Sequence, residues 1–122
     1  MYSNALNQDG LTVGYAMADY TKKERSLLRD LAAEAYEREL GQHLAELDKS
    51  FAAWRCGELA SSELSKEIHR FHRHAAREVW SAYQMPHVSI IVGRALALGI
   101  LNSSDVPAEL RAKLKDQAAF YR

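Results

Sequence analysis

The feature that most constrains this chain is a long stretch without proline near its N-terminal end. From Thr21 to about Cys56 there is no proline, and most residues are strong helix formers. Thr21 and Glu24 have the spacing of a capping box, in which each side chain accepts a hydrogen bond from the other residue's backbone amide. Gly57 can supply a left-handed C-terminal cap. The sequence therefore predicts one long first helix.

The apolar residues of this helix form two stripes. Because consecutive residues lie about 100° apart, the stripe moves around the helix by about a third of a turn between Tyr36 and Gly41. We therefore expect the two halves of the helix to pack against different neighbours or to meet at a bend. The first stripe comprises Leu27, Leu28, Leu31, Ala32 and Ala35, and the second comprises Tyr36, Leu40, Leu44, Leu47, Phe51 and Trp54.

A second helix is predicted from the most regular apolar pattern in the chain. Ser61 or Ser62 can cap its start, and the pattern continues to about Tyr83. One face of this helix is apolar and is expected to point inward. That inner face comprises Leu64, Ile68, Phe71, Ala75, Val79 and Ala82.

Two further helices complete the predicted fold. Pro86 suits the first turn of a third helix that runs through Leu101 and is apolar on nearly all sides, so we expect it to be central and buried. The β-branched residues of 88–92 leave a short strand as the alternative for that run. Pro107 starts the last helix.

These elements predict an all-α fold, a compact bundle of about four helices with a long first helix. The chain has 122 residues, which suits one domain, here residues 21–122. Residues 1–20 follow neither the helical nor the strand period and are predicted to be an irregular N-terminal arm. Because a domain starting at Met17 would be complete, we expect residues 1–16 to be an upstream extension of the translated frame.

Charge and cysteine content restrict the possible environments of the protein. Its 16 basic and 16 acidic residues balance, so no global field attracts nucleic acid or a membrane. The longest apolar run contains Arg94 and is too short to span a bilayer. With a single cysteine, Cys56, and no secretory signal pattern, we expect a cytoplasmic protein without a membrane span.

The second helix carries the most informative polar pattern. Lys66, Arg70, Arg73 and Arg77 are spaced by four, three and four residues, which on an α-helix places them on one ridge. Such a ridge can contact phosphates, so these four residues are the candidate nucleic-acid-binding site. The alternative is a solvated outer face, on which Glu63 pairs with Lys66 or Glu67 pairs with Arg70.

The histidines do not predict a metal site. His69 and His72 could supply two ligands and His43 a third, but His74 points to the opposite flank of the second helix. The Glu-x-x-His and His-Glu-x-x-His patterns of helical metal sites do not occur. We therefore predict no metal and no cofactor, and interpret these histidines as half-buried hydrogen-bond donors.

Arg38 and His43 have the Arg-x4-His spacing of HEPN ribonucleases, which are small helical bundles that this chain resembles in size and class. The resemblance implies that the two residues act together on an RNA phosphate. In this chain Glu39 replaces the polar residue that usually follows the arginine, and its charge would repel a phosphate. The alternative is an outer arginine and a histidine beside the Leu44–Leu47 stripe. No phosphate loop or nucleophile elbow occurs, so no catalytic residue is predicted.

A second resemblance covers about residues 21–115. The pattern Glu63-Leu64-x3-Ile68-His69-x-Phe71-His72-x3-Ala76-Arg77-Glu78-x-Trp80-x2-Tyr83, together with Thr21-Lys22-Lys23-Glu24, is similar to a small bacterial family of short helical proteins. The resemblance implies a bacterial cytosolic source. It implies no activity and no functional residue.

These observations favour a non-enzymatic protein–protein interaction module, such as an immunity protein, an antitoxin or an accessory protein. The long first helix and the all-round apolar third helix offer more apolar surface than a small bundle can easily bury. The expected partner is another protein or a second copy of this chain. Nucleic-acid binding through the basic ridge is the first alternative, and a HEPN-like ribonuclease is the second.

Overall fold

The structure, a computed structural model, describes the backbone of residues 20–120 and the side chains of residues 20–115. These residues contain four helices and no strand, so the all-α fold with a long first helix is confirmed. Apart from Tyr20, the predicted arm of residues 1–20 lies outside the described residues, as does the extension over residues 1–16. The helices are α1 (Lys22–Arg55), α2 (Ser61–Arg70, π-helical Phe71–Ala76 and Arg77–Ala82), α3 (Val88–Ala97) and α4 (Ala108–Phe120), with a 3₁₀ turn at Ser103–Asp105.

Both ends of α1 are stabilised as the sequence predicts. The Thr21 backbone N–H donates to Glu24 Oε1 at 2.9 Å, and the Glu24 N–H donates to Thr21 Oγ1 at 3.1 Å. At the other end, Gly57 has a φ of 81°. The Glu58 N–H donates to the Ala53 carbonyl at 2.8 Å, which is the long bond of a Schellman motif. The capping box and the left-handed glycine cap are therefore confirmed.

The described residues pack as two compact units that divide within α1. The first unit contains residues 20–35 and 85–120, and the second unit contains residues 36–84. The division lies between Ala35 and Tyr36, where the sequence changes from the first apolar stripe to the second. The prediction that the two halves of the helix pack against different neighbours is thus confirmed. The single domain predicted for residues 21–122 concerns both units together and stays a prediction.

The first unit contains most of the buried side chains. Helix α3 packs against α4 and is buried along much of its length, as predicted, although Leu98 beyond its end is exposed. Tyr20, which the sequence analysis assigned to the irregular arm, is buried here. The core of this unit comprises Tyr20, Leu28, Leu31, Ala35, Ile91, Val92, Ala95, Ile100, Leu101, Val106, Leu110 and Leu114.

Helix α3 is shorter at both ends than the sequence predicts. It begins at Val88, so Pro86 precedes the helix instead of forming its first turn, and the strand alternative for residues 88–92 is wrong. It ends at Ala97 because Gly99 adopts a φ of 78° and the Ile100 N–H turns back to the Ala95 carbonyl at 2.9 Å. The left-handed glycine therefore ends the helix before the apolar run ends.

The starts of α2 and α4 also differ from the prediction. The residue preceding α2 is Ala60, so neither Ser61 nor Ser62 is its cap. The Ala60 N–H instead donates to Glu63 Oε1 at 2.8 Å. The Glu63 side chain, and not a serine hydroxyl, therefore accepts the capping hydrogen bond at the start of the helix. Helix α4 begins at Ala108, one residue after Pro107.

Helix α2 contains a π turn at Phe71–Ala76 that the sequence analysis did not predict. Bonds from residue i to i+5 place about one more residue in the turn than α-helical bonds do. Residues after the turn are therefore rotated by about 100° compared with an unbroken α-helix. The α-helical spacing of about 3.6 residues per turn therefore cannot be used to compare the directions of side chains before the π turn with those after it.

Deleting one residue from the π turn should leave the second unit folded. Without His72, which is exposed, the segment can close as an α-helix while its flanking segments keep their relative rotation. Deleting Gln42, equally exposed, from α1 rotates Leu44 and the rest of the second stripe by about 100°. We expect the deletion of His72 to shift Tm by no more than about 5 °C, and the deletion of Gln42 to abolish cooperative unfolding of the second unit. Equal losses in circular dichroism melts would contradict this account of the register.

An ion pair joins the start of α1 to α4. Lys113 Nζ donates to Glu24 Oε1 at 2.7 Å, and this ammonium lies 5.8 Å from the centre of the Tyr20 ring. The hydrogen bond from Lys113, followed by that from the Thr21 backbone N–H, holds the pKa of Glu24 below its ordinary value. Glu24 thus links the helix cap to the core of the first unit.

The Glu24 pair should make stability depend on acid pH. Because the pKa of Glu24 is lower in the folded chain than in the unfolded chain, its stabilisation is present above the unfolded value and is lost as the pH falls through the folded value. Glu24→Gln should therefore lower Tm near neutral pH and flatten the fall of Tm in acid. Glu46→Gln, which removes the exposed pair with Lys49, is the control and should change little. Superimposable acid profiles for wild type and Glu24→Gln would refute this role.

Candidate functional site

The second unit is a hairpin of residues 36–55 of α1 and helix α2, and it buries few side chains. Among its described residues only Leu64 and Val79 are buried. In a pair of helices, apolar side chains that do not lie between the two helices stay partly exposed. In the second stripe Tyr36, Leu40, Leu47 and Phe51 are half-buried, and Leu44 and Trp54 are exposed.

Polar contacts at both ends hold the hairpin together. Near its open end, the rings of Tyr36 and Tyr83 meet edge to face with centres 5.3 Å apart. The Tyr83 hydroxyl also donates to Glu39 Oε1 at 2.9 Å. Near the connecting turn, Trp54 Nε1 donates to Ser61 Oγ at 3.0 Å. These contacts set how the two helices face each other.

The hairpin carries a cleft of about 400 Å³ that is lined by both ionisable and apolar side chains. Its walls come from both helices, and Leu47, Ser50, Phe71 and Ala75 contribute to them. An ion pair between Arg70 Nη1 and Glu67 Oε2, at 2.6 Å, belongs to the lining. The ionisable side chains that line the cleft are His43, Glu46, Glu67, Arg70, His74 and Glu78.

The hairpin also carries exposed apolar side chains outside the cleft lining. Leu44, Ile68 and Trp80 are 46%, 41% and 55% exposed, and we call these three residues the apolar flank. Each stands two positions from a residue that lines the cleft, which on an α-helix means about 160° around the axis. The pairs are Leu44 with Glu46, Ile68 with Arg70, and Trp80 with Glu78. By helical spacing, these three apolar side chains point away from Glu46, Arg70 and Glu78 of the cleft.

The π turn aligns the two α2 residues of the apolar flank. On an unbroken α-helix Ile68 and Trp80, twelve positions apart, would point about 120° away from each other. The extra residue of the turn reduces that angle to about 20°. The apolar spacing predicted Ile68 on the inner face of α2. The flank was not predicted, because the prediction assumed a continuous α-helix from Ser61 to Tyr83.

The same turn changes the predicted basic ridge. Lys66, Arg70, Arg73 and Arg77 are all exposed. Arg70 pairs with Glu67 at 2.6 Å, which is one of the pairs that the solvated-face interpretation predicts. The extra residue moves Arg77 from about 20° to about 120° from Arg70 around the helix. The four cations are therefore accessible, and their role as a nucleic-acid-binding site stays a prediction.

The histidines of α2 differ from the prediction in their burial. His69, His72 and His74 are all exposed rather than half-buried. His74 faces the cleft together with His43 of α1, a juxtaposition that the sequence analysis did not predict. No group of three His, Cys, Asp or Glu side chains in the described part of the chain is placed to hold a metal ion.

Arg38 and His43 leave α1 in different directions. Five positions on an unbroken α-helix are about 140° apart, so only a flexible arginine could bring both groups to one phosphate. His43 lines the cleft, whereas Arg38 is not among its lining residues. Glu39 accepts the hydrogen bond from Tyr83 and so contributes to the hairpin itself. The ribonuclease interpretation stays a prediction.

Comparisons with known proteins add no functional assignment. No protein-family model, curated protein or solved structure matches this chain. Within residues 20–120, no helix is both long enough and apolar enough to cross a membrane.

Proposed function

We propose that this protein is a non-enzymatic protein–protein interaction module whose binding surface is the apolar flank. One observation supports the proposal: Leu44, Ile68 and Trp80 are exposed on one side of a hairpin that buries only Leu64 and Val79 among its described residues. Exposed apolar patches on soluble domains typically mark interaction sites. Tryptophan is also among the residues that contribute most to binding energy at interfaces.

The proposal assigns different roles to the two sides of the hairpin. The apolar side supplies binding energy through burial, at about 25 cal/mol for each Å² of apolar surface removed from water. The charged cleft keeps the other side hydrated and limits how a partner can approach. A chain of this kind suits an immunity protein, an antitoxin or another accessory protein in the bacterial cytoplasm.

Nucleic-acid binding through Lys66, Arg70, Arg73 and Arg77 is the competing function. Its support is that all four side chains are exposed. Glu67 offsets the charge of Arg70, and the π turn directs Arg77 away from Arg70, so a phosphate backbone would not find four aligned cations. The geometry therefore favours the apolar flank.

Site-specific photo-crosslinking in the host cell tests the proposed surface. A photoreactive phenylalanine analogue is placed at Trp80, on the apolar flank, or at Glu78, which lines the cleft two positions earlier. We expect a protein adduct from position 80 and none from position 78, because only the apolar side binds a partner. Leu44→Glu in the same background should abolish the adduct.

Three results would contradict the proposal. Position 80 could give no adduct, both positions could give the same adducts, or the adduct could be degraded by nuclease. The last result, with binding that weakens steeply as salt is added, would favour the nucleic-acid function.

A further inference from the structure

We infer that the apolar flank binds a second copy of this chain, so that two hairpins close one four-helix core about a twofold axis. The inference rests on the proposed function and specifies its partner. It draws on the layering of the hairpin, the charges of its two helices, the size of the flank and an exposed glycine.

Layering gives the first argument. The hairpin is one layer of two helices, and a stable helical core needs a second layer against its apolar side. An identical hairpin supplies such a layer, and four helices around one core is a common helical architecture. In a twofold arrangement the same surface is used on both copies, so each flank covers the other.

Charge complementarity gives the second argument. Residues 36–55 of α1 contain four carboxylates and three basic residues, whereas residues 61–82 of α2 contain four basic residues and three carboxylates, so the two helices differ in the sign of their net charge. Placing α1 of one copy against α2 of the other brings opposite charges together, and α1 against α1 would bring like charges together. The balanced net charge of the chain adds no overall repulsion between copies.

Charged residues border the flank on both helices. Glu37 and Asp48 lie seven positions before and four positions after Leu44, on the same side of α1. Arg77 lies three positions before Trp80 on α2. All three charged side chains are exposed. These three charged side chains therefore form a rim around the flank. In a dimer, the acidic rim residues of one copy can form ion pairs with the basic rim residue of the other copy.

The dimensions of the hairpin face that carries the flank allow a dimer of this kind. Twenty residues of helix extend about 30 Å, and two adjacent helices are about 20 Å wide. The resulting face of about 600 Å² reaches what each partner contributes to the smaller specific interfaces. A short peptide ligand would leave much of this face uncovered.

An exposed glycine, Gly41, lies near the flank on α1. It lies three positions before Leu44, inside α1, and an added Cβ there would meet nothing within 4 Å. Glycine inside a helix costs about 1 kcal/mol relative to alanine, and among the described residues no contact requires its absent side chain. Close approach by the backbone or a large side chain of a second copy gives a physical reason for the glycine.

Sedimentation velocity over a wide concentration range tests the inference on the full chain. We expect a reversible dimer, and we expect Trp80→Glu to raise its Kd by about a hundredfold because a buried interface tryptophan is replaced by a charge. Circular dichroism checks that the variant keeps its helical content.

Charge reversal provides a test that leaves the apolar side chains intact. The variants Glu37→Lys/Asp48→Lys and Arg73→Glu/Arg77→Glu should each dimerise more weakly than wild type, whereas an equimolar mixture of the two should form a heterodimer. Glu46→Lys/Glu78→Lys carries the same charge change on the cleft side and should dimerise like wild type.

Each outcome separates the inference from the proposed function. A monomer at all concentrations, with position 80 still crosslinking to a different protein, refutes the second copy and keeps the interaction module. A monomer without any crosslink refutes both. A dimer that tolerates Trp80→Glu, or a mixture that fails to form the heterodimer, refutes the flank pairing.

Discussion

Burial of apolar surface is the interaction on which the rest of this structure depends, and the two units achieve it to different degrees. The first unit buries a full set of aliphatic side chains, among them Leu28, Val92 and Leu114. The second unit has two helices and no further layer, and only Leu64 and Val79 are buried among residues 36–84. Fully burying a large apolar side chain contributes about 1.5–3 kcal/mol, and a whole domain is stable by only about 5–15 kcal/mol. Covering Leu44, Ile68 and Trp80, which are each about half exposed, would therefore add to the stability of the hairpin by an appreciable part of that total.

Features that depend on neighbouring residues could be predicted from the sequence. The capping box of Thr21 and Glu24 needs only their spacing, and the cap at Gly57 needs only a residue that tolerates positive φ. The change of apolar stripe after Ala35 follows from helical periodicity, and the boundary between the units coincides with it. The long first helix and the all-α fold follow from the same local rules.

Features that depend on register or on tertiary contacts could not be predicted. The π turn at Phe71–Ala76 interrupts a run whose apolar spacing also fits an α-helix, so the spacing alone gives no sign of the extra residue. By helical spacing, that residue turns Arg77 away from Arg70 and brings Trp80 towards the direction of Ile68 around the helix. Tyr20 appeared irregular because burial of a residue outside a helix has no periodic signal. Of the three flank residues, Leu44 and Ile68 are assigned to apolar faces from their spacing, and only Trp80 lies outside them.

The central claim is that the second unit needs an external layer to cover its apolar side. Segment-resolved hydrogen exchange at low and high protein concentration tests this claim most directly, because it reports the opening free energy of each unit separately. The account predicts that protection of residues 36–84 rises with concentration while protection of residues 20–35 and 85–120 stays constant. Equal protection of residues 36–84 at all concentrations, as high as that of the first unit, would show that the hairpin is stable alone and would contradict the account.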